Sequence, residues 1–532
     1  MENKNSIFNL SPYFAARNVK KDLPASIVVF LVALPLCLGI ALASGAPLFA
    51  GILTGIIGGI VVSSISGSQL SVSGPAAGLT VIVFGAIASL GSYETFLLAV
   101  VLAGCIQIFL GILKAGIIAN YFPSSVIEGM LAAIGVILIL KQIPHALGFD
   151  SDFEGDQSFS QLNHENTFSA LLSSLDMISY GAVIISVLSL LIMIYWPGIK
   201  KLSAIPAAIL VVILGIVLNI VFQNTGLALS PEQLVTIPVV ESYNEFLALF
   251  VFPDFSQIGN KEMWTVAFTI AIVASIETLL SIEAVDKMDP FKRVSPTNRE
   301  LVAQGLGNMT SGLLGGLPMT SVIVRSSVNV NSGGRTKMGA IYHGFWLLLS
   351  LLFIPFLLNK IPLASLAAIL LVTGYKLAKL SLFKKMWKNG RDQFIPFVVT
   401  VLAVVFTDLL KGVAVGMMIG IFYILRTNLR NSYFYKIEKN GDKNVIRIKL
   451  AQEVSFLNKA SIQQTLLKLP KESHVIIDGS DSLFIDKDVL EIIHNFKHNA
   501  FSKGTIVEIL NIRDHYDVSN VEEFVHKPEK IN

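Results

Sequence analysis

Cysteine is nearly absent from this sequence: Cys37 and Cys105 are the two in 532 residues, and both sit inside apolar runs. That excludes a disulfide framework and a cysteine metal centre, and leaves both as small buried hydrophobes. Charge is scarce as well. It amounts to 14% of residues against 53% hydrophobic, where soluble domains carry about 25% charged residues. With a mean hydropathy of +0.67, this excludes an ordinary soluble protein and implies a polytopic membrane protein. A formal net charge of +3 gives no reason to expect a nucleic-acid partner. The polar start, Met1–Lys21, lacks the cleavage pattern of a signal peptide, so the first span is expected to stay in place.

At roughly 20 apolar residues per span, Leu23 to Leu429 divides into about 14 crossings. Basic residues, Lys20, Lys21, Lys200, Lys201, Arg293, Arg335, Lys384 and Lys388 among them, fall in loops that one topology places on a single side. The positive-inside rule makes that side the cytoplasm. The long joints Asp150–Asp176 and Asn224–Glu262 then read as external, the first with Asp152, Glu154 and Asp156 in it.

Two places inside apolar regions break the helical pattern. These are Val72-Ser73-Gly74-Pro75-Ala76-Ala77-Gly78-Leu79-Thr80 and Gly315-Gly316-Leu317-Pro318-Met319-Thr320-Ser321. Non-helical backbone at membrane depth survives where it is buried in protein or lines a wet cavity. Two such breaks in corresponding halves point to a secondary transporter with inverted repeats. Half-helices starting at Ala76 and Ser321 would turn free N–H groups and positive dipole ends toward one cavity, which suits an anion. Backbone N–H groups of Ala76, Ala77 and Gly78 and of Ser321, Val322 and Ile323, with Thr320 beside them, are the expected substrate contacts. The competing reading is that the small residues only let helices pack closely. The span Ser321–Asn331 is too short to cross alone and must be completed by the extended segment before it.

Glu277 lies well inside the span Trp264–Ala284, where an ionisable group costs about 3 kcal/mol or more without a partner. Ser281 follows one turn later on the same face. Together they could offer oxygens to Na⁺, or Glu277 alone could carry a proton. A structural role is the alternative: pairing with Arg325, or capping a half-helix. Arg325, one turn into the second half-helix, either adds positive potential to the cavity or balances Glu277. Asp408, beside Lys411 at a span end, reads as structural.

After Arg430 the composition becomes charged and mixed. Strand-like runs at Ile446–Leu450, Val475–Ile477 and Thr505–Leu510 and an amphipathic stretch at Asp488–Phe496 suggest a small α/β domain of residues 431–532, behind a transporter domain of residues 1–430.

Val72–Thr80, Ile276–Asp286, Gly316-Leu317-Pro318 with Arg325, Asn329 through Thr336, and Thr407–Val413 resemble the SulP anion transporters, the group that includes prestin and pendrin. The tail, with Val475-Ile476-Ile477-Asp478 and Phe484-Ile485-Asp486, resembles that family's C-terminal STAS domain. The resemblance implies a fourteen-span α-helical fold built as a seven-plus-seven inverted repeat, a core domain moving against a gate domain, a cytoplasmic STAS-like domain and a homodimer. It also implies a Na⁺ site at Glu277 and Ser281, as in bicarbonate-carrying members. Ala76 and Ile323 depart from those members, which carry hydroxyl side chains there.

The expectation is a secondary transporter of the cytoplasmic (inner) membrane, with its N-terminus and tail in the cytoplasm, no enzymatic chemistry and no bound cofactor. It would carry a small inorganic anion, bicarbonate first, coupled to Na⁺ or H⁺ through Glu277. Sulfate or another anion, by symport or exchange, is the alternative. Two rivals are a nucleobase–proton symporter and a membrane-tethered anion sensor. The first normally has a second carboxylate on the other broken helix, and Met319–Asn331 has none. The second would place a phosphorylatable residue after Asp486, where Lys487 stands.

Overall fold

A computed structural model describes residues 16–150, 159, 166–198, 206–236, 243–430, 433–440, 443–470, 473–500 and 504–513. Lys200, Lys201, Asp152, Glu154 and Asp156 lie outside the described residues. The chain forms two compact units, Met1–Met417 and Met418–Asn532.

The first unit is built from helices, most of them apolar. They are α1 (Ala16–Ala43), α2 (Leu48–Ile57), α3 (Thr80–Leu90), α4 (Tyr93–Ile112), α5 (Ser124–Leu147), α6 (Tyr180–Tyr195), α7 (Ala207–Phe222), α8 (Lys261–Met288), α9 (Thr297–Leu314), α10 (Ile323–Asn331), α11 (Met338–Phe353), α12 (Leu363–Leu377) and α13 (Arg391–Phe406), followed by α14 (Leu409–Arg430). Among the described residues, eight helices are long and apolar enough to cross a membrane; Ala77–Leu90, Ala207–Phe222 and Met338–Phe353 are apolar but shorter. At 1.5 Å per residue, the nine residues of α10 reach only about 14 Å. Large apolar side chains such as Phe109, Ile194, Val221 and Phe353 stand exposed, as expected of a multi-pass membrane protein whose outer surface meets lipid.

Helix packing sorts the unit into two groups. In one, α1 packs on α2 and α11, and α4 packs on α8 and α9; in the other, α5 packs on α12 and α13, and α6 packs on α7 and α12. Glycines set a close crossing in each group. A β-carbon at Gly104 on α4 would lie 2.5 Å from the carbonyl oxygen of Gly305 on α9, and one at Gly135 on α5 would lie 2.6 Å from that of Gly374 on α12. Small residues at a crossing let backbones approach where hydrophobic burial gives no drive for association.

Both breaks contain extended backbone, as β1 (Ser73–Pro75) and β2 (Met319–Ser321). A π-helical turn, Gly58–Val62, follows α2 and makes room for the first of them. A β-carbon at Gly58 would sit 2.3 Å from the Ser73 carbonyl oxygen. The loop into β1 is fixed by buried Glu300, whose Oε1 accepts hydrogen bonds from the Ser66 hydroxyl at 2.5 Å and the Gly67 and Ser68 amides at 2.7 and 2.9 Å. Asp408 accepts from the Lys411 amide at 2.8 Å and pairs with its ammonium at 2.9 Å. It caps the start of α14, the structural role expected of it.

The second unit carries a sheet of β3 (Tyr433–Asn440), β4 (Lys443–Leu450), β6 (His474–Asp478) and β8 (Ile506–Leu510) in that order, with β5 (Glu453–Val454) paired to β7 (Phe484–Ile485). β3 and β4 are antiparallel, and the remaining pairs are parallel. α15 (Lys459–Leu467) and α16 (Lys487–Ala500) supply its helices. Ile446, Ile448, Val475 and Ile477 meet Ile462, Val489 and Ile493 in one apolar core. Asp486 accepts from the Asp488 amide at 2.9 Å and so caps α16. Hydrogen bonds from Ser480 hold the Asp478 carboxyl below the usual carboxylate range.

Candidate functional site

Proline at position 75 and at position 318 removes an N–H and opposes helix, so the chain runs extended there. The two extended pieces pair with each other. β1 and β2 are antiparallel, with Ser73 opposite Ser321, Gly74 opposite Thr320 and Pro75 opposite Met319. The Val322 amide continues the pairing onto the Val72 carbonyl at 2.9 Å.

Polar side chains from neighbouring helices satisfy much of the remaining backbone. The Leu317 amide donates to Thr54 Oγ1 at 2.7 Å, and the Met319 amide to Asn308 Oδ1 at 2.7 Å. Asn308 is held by Gln107 at 2.6 Å, and Gln304 donates to Ser73 Oγ at 2.6 Å. Ser311 donates to the Leu317 carbonyl at 2.7 Å. Sequence reasoning passed over this scaffold. Its signal was available: Gln304, Asn308 and Ser311 are spaced to lie along one face of a helix otherwise rich in small and apolar residues.

The first half-helix begins near the expected place. Ala76 is extended (φ −108°, ψ 127°), a 3₁₀ turn covers Ala77–Leu79 and α3 follows from Thr80. The second start is corrected. Ser321 is the last residue of β2, Val322 is the N-cap and α10 begins at Ile323. Ser321 is held in the strand by its cross-strand partner, by the Ser71 hydroxyl at 2.6 Å and by Thr278 Oγ1, 3.4 Å from its amide. Ala76, Thr320, Ser321 and Ile323 are buried, whereas Ala77, Gly78 and Val322 are half-buried. The half-buried three are the residues that remain open at the two starts.

Glu277 is buried on α8, with Ser281 buried one turn on. Its carboxylate faces the Gly78 amide and the Thr320 hydroxyl, so it reaches both breaks. A β-carbon at Gly78 would lie 2.9 Å from Glu277 Oε2, which has no hydrogen-bond partner among the described residues.

Arg325 is wholly buried and points elsewhere. Its Nη1 lies against Gly74, where a β-carbon would come within 2.1 Å, and 3.8 Å from one built at Gly55; Cys37 neighbours it from α1. Among the described residues, none of its three guanidinium nitrogens has a hydrogen-bond partner. The ion pair between Glu277 and Arg325 weighed from sequence is therefore not formed. The carboxylate faces Gly78 and Thr320, and the guanidinium lies against Gly74.

The comparisons with known proteins agree with this architecture. The profile of the sulfate permease family matches residues 19–400. The chain belongs to that family. It is similar to the Bacillus subtilis protein YvdB, at 30% identity over 459 residues, 84% of this chain and 83% of that one. It is also similar to the bicarbonate transporter BicA of Picosynechococcus, at 27% identity over 438 residues, 81% and 74% of the two chains. In fold it resembles the murine anion transporter Slc26a9, with a TM-score of 0.67 and 16% identity over 98% of this chain and 89% of that one. The family and these neighbours are transporters, not enzymes.

Proposed function

We propose that this family member is a secondary transporter of a small inorganic anion, bicarbonate first, coupled to Na⁺ or H⁺ through Glu277. The observation that carries the reading is the pairing of two half-helix starts across β1 and β2, with a buried carboxylate reaching both and a buried guanidinium, free of it, against Gly74. Anions are stabilised at helix N-termini by free N–H groups and the dipole. The open positions Ala77, Gly78 and Val322, with Ile323 behind, would present those groups to the ion; Ala76, Thr320 and Ser321 shape the wall and Arg325 supplies positive potential.

Glu277 with Ser281 and Thr320 offers an all-oxygen set for Na⁺, and Glu277 alone offers a proton site. The two helix groups serve as core and gate. Each arises from two stretches of chain, α1–α4 with α8–α11 and α5–α7 with α12–α13, an arrangement that suits fourteen spans in two inverted repeats. The protein would lie in the cytoplasmic membrane as a homodimer, with the N-terminus and STAS-like tail in the cytoplasm. Sulfate is the second reading, in keeping with the family's description.

Uptake of labelled bicarbonate and of sulfate into proteoliposomes, with Na⁺ and pH gradients imposed separately, tests both substrate and coupling. Absence of concentrative uptake of either ion under both gradients would overturn the proposal.

A further inference from the structure

Arg325 is not the only buried polar group without a partner near the breaks. His343, on α11, is fully buried, and among the described residues neither of its ring nitrogens has a hydrogen-bond partner. Leaving a buried donor or acceptor unpaired is costly, and more so for a charged group. A neutral imidazole must carry one N–H and one lone pair, so this side chain has two such groups to satisfy.

The surroundings put His343 and Arg325 in one compartment. Cys37 Sγ and Arg325 Nη1 lie 2.7 and 3.8 Å from a β-carbon built at Gly55, and the Arg325 charge also acts on His343. Gly55 on α2 and Gly74 in β1 complete the wall around the guanidinium, and Leu347, one turn beyond His343, packs at Gly55. α11 is held close by its next residue: a β-carbon at Gly59 would lie 2.6 Å from the Gly344 α-carbon. Five elements thus surround a guanidinium, an imidazole and a thiol, and Gly55 and Gly74 leave the room that the guanidinium and the thiol take up.

We infer that His343 is a specificity-determining residue of the anion site, completing with Arg325 a donor set for a small oxyanion over a halide. The inference rests on the transport reading above. The guanidinium is a planar fork of five N–H donors that matches paired oxygens. The imidazole adds a donor from a second helix and so from a second direction. An ion with three or four oxygens can engage both at once through different atoms, each in good geometry. A monatomic ion has one centre to share between them, and gains less from the second donor.

The test is a thermal-shift titration of the purified full-length protein with bicarbonate, sulfate and chloride at fixed pH. His343→Ala should weaken bicarbonate and sulfate binding about tenfold, the value of one buried hydrogen bond, and chloride by about twofold or less. His343→Gln, which keeps a side-chain N–H, should recover most of the loss. Equal weakening for all three ions, or unchanged oxyanion affinity, would overturn the inference. If the alanine variant fails to fold, the oxyanion-to-chloride ratio of His343→Gln against His343→Leu decides in the same way. A wild-type protein that answers to no anion removes the transport reading itself, whereas a wild-type response indifferent to His343 removes only this inference.

Discussion

The guanidinium of Arg325 fills the space beside Gly74, so that a β-carbon on Gly74 would come within 2.1 Å of Nη1. The obstacle is the far end of a flexible side chain. Gly74→Ala should therefore fold, push the guanidinium aside and weaken anion binding about tenfold, as loss of one charge-assisted contact would. Gly58→Ala is the contrast, because its obstacle is the Ser73 carbonyl oxygen at 2.3 Å. Backbone cannot step aside cheaply, and overpacking of this kind costs about 1–3 kcal/mol. Melting temperature and anion affinity measured on both variants separate the two. Equal loss of stability would show that Arg325 is not free to move.

Glu277→Gln should abolish cation dependence and most concentrative uptake while leaving the protein folded, since the amide has nearly the shape of the carboxylate and keeps an oxygen facing Gly78 and Thr320. Ser281→Ala should weaken the cation less, because water replaces a neutral oxygen ligand more easily than the charged one. Uptake under separate Na⁺ and pH gradients reads both. Wild-type accumulation by Glu277→Gln would remove this carboxylate as the coupling group.

These positions differed in how far sequence exposed them. Glu277 stood out because a carboxylate in an apolar span needs a reason, and the breaks stood out because Gly-Pro and Leu-Pro interrupt apolar runs. His343 obeys the same rule as Glu277 and was overlooked, since histidine is uncharged in most composition counts. The pairing of Ser73 with Ser321 was not legible. Three-residue strands carry no alternation pattern, and their register depends on Gln304, Asn308 and Thr278, which reach them through tertiary packing. Misplacing the second helix start at Ser321 follows from that. A serine after an extended run reads as an N-cap, but its bonds to Ser71 and Thr278 keep it in the strand. The tail's strands were legible, because their branched apolar runs stand between charged turns.

Asn308→Ala should be among the most damaging single changes away from any ligand. It removes the acceptor for the Met319 amide, a donor to the Met319 carbonyl and the partner of Gln107. Leaving such groups unpaired costs about 1–3 kcal/mol each where no water reaches them. Detergent-solubilised protein should show a clear fall in melting temperature, whereas Asn308→Asp, which keeps the acceptor, should lose less. Equal falls would mean that the Met319 amide finds another partner.

Removing residues 433–532 should lower expression or assembly more than it changes anion selectivity, because every proposed ligand lies between Ala76 and His343. Size-exclusion profiles and competition between bicarbonate, sulfate and chloride measure the two properties. Altered selectivity in a truncation that assembles normally would tie the tail to the transport site.

The half-helix site itself is best probed at its open residues. Ser321 is fully buried and bonded to Ser71, so a bulky residue there would disrupt the strand pairing, and lost transport would say nothing about occlusion. Ala77 and Val322 are half-buried, and enlarging their side chains removes no backbone group from the strand pairing. If N–H groups at the two starts hold the anion, Ala77→Leu and Val322→Phe should abolish anion binding with little loss of stability. The same enlargement on an exposed apolar face, such as Ile194→Phe on α6, should be mild. Arg325→Ala should weaken binding and make the remainder less sensitive to ionic strength, because it removes a fixed charge and leaves the dipole ends in place. Unchanged affinity in folded Ala77→Leu and Arg325→Ala proteins would place the anion elsewhere, since no arrangement of ligands at these two starts tolerates both losing the space beside the amides and losing the guanidinium.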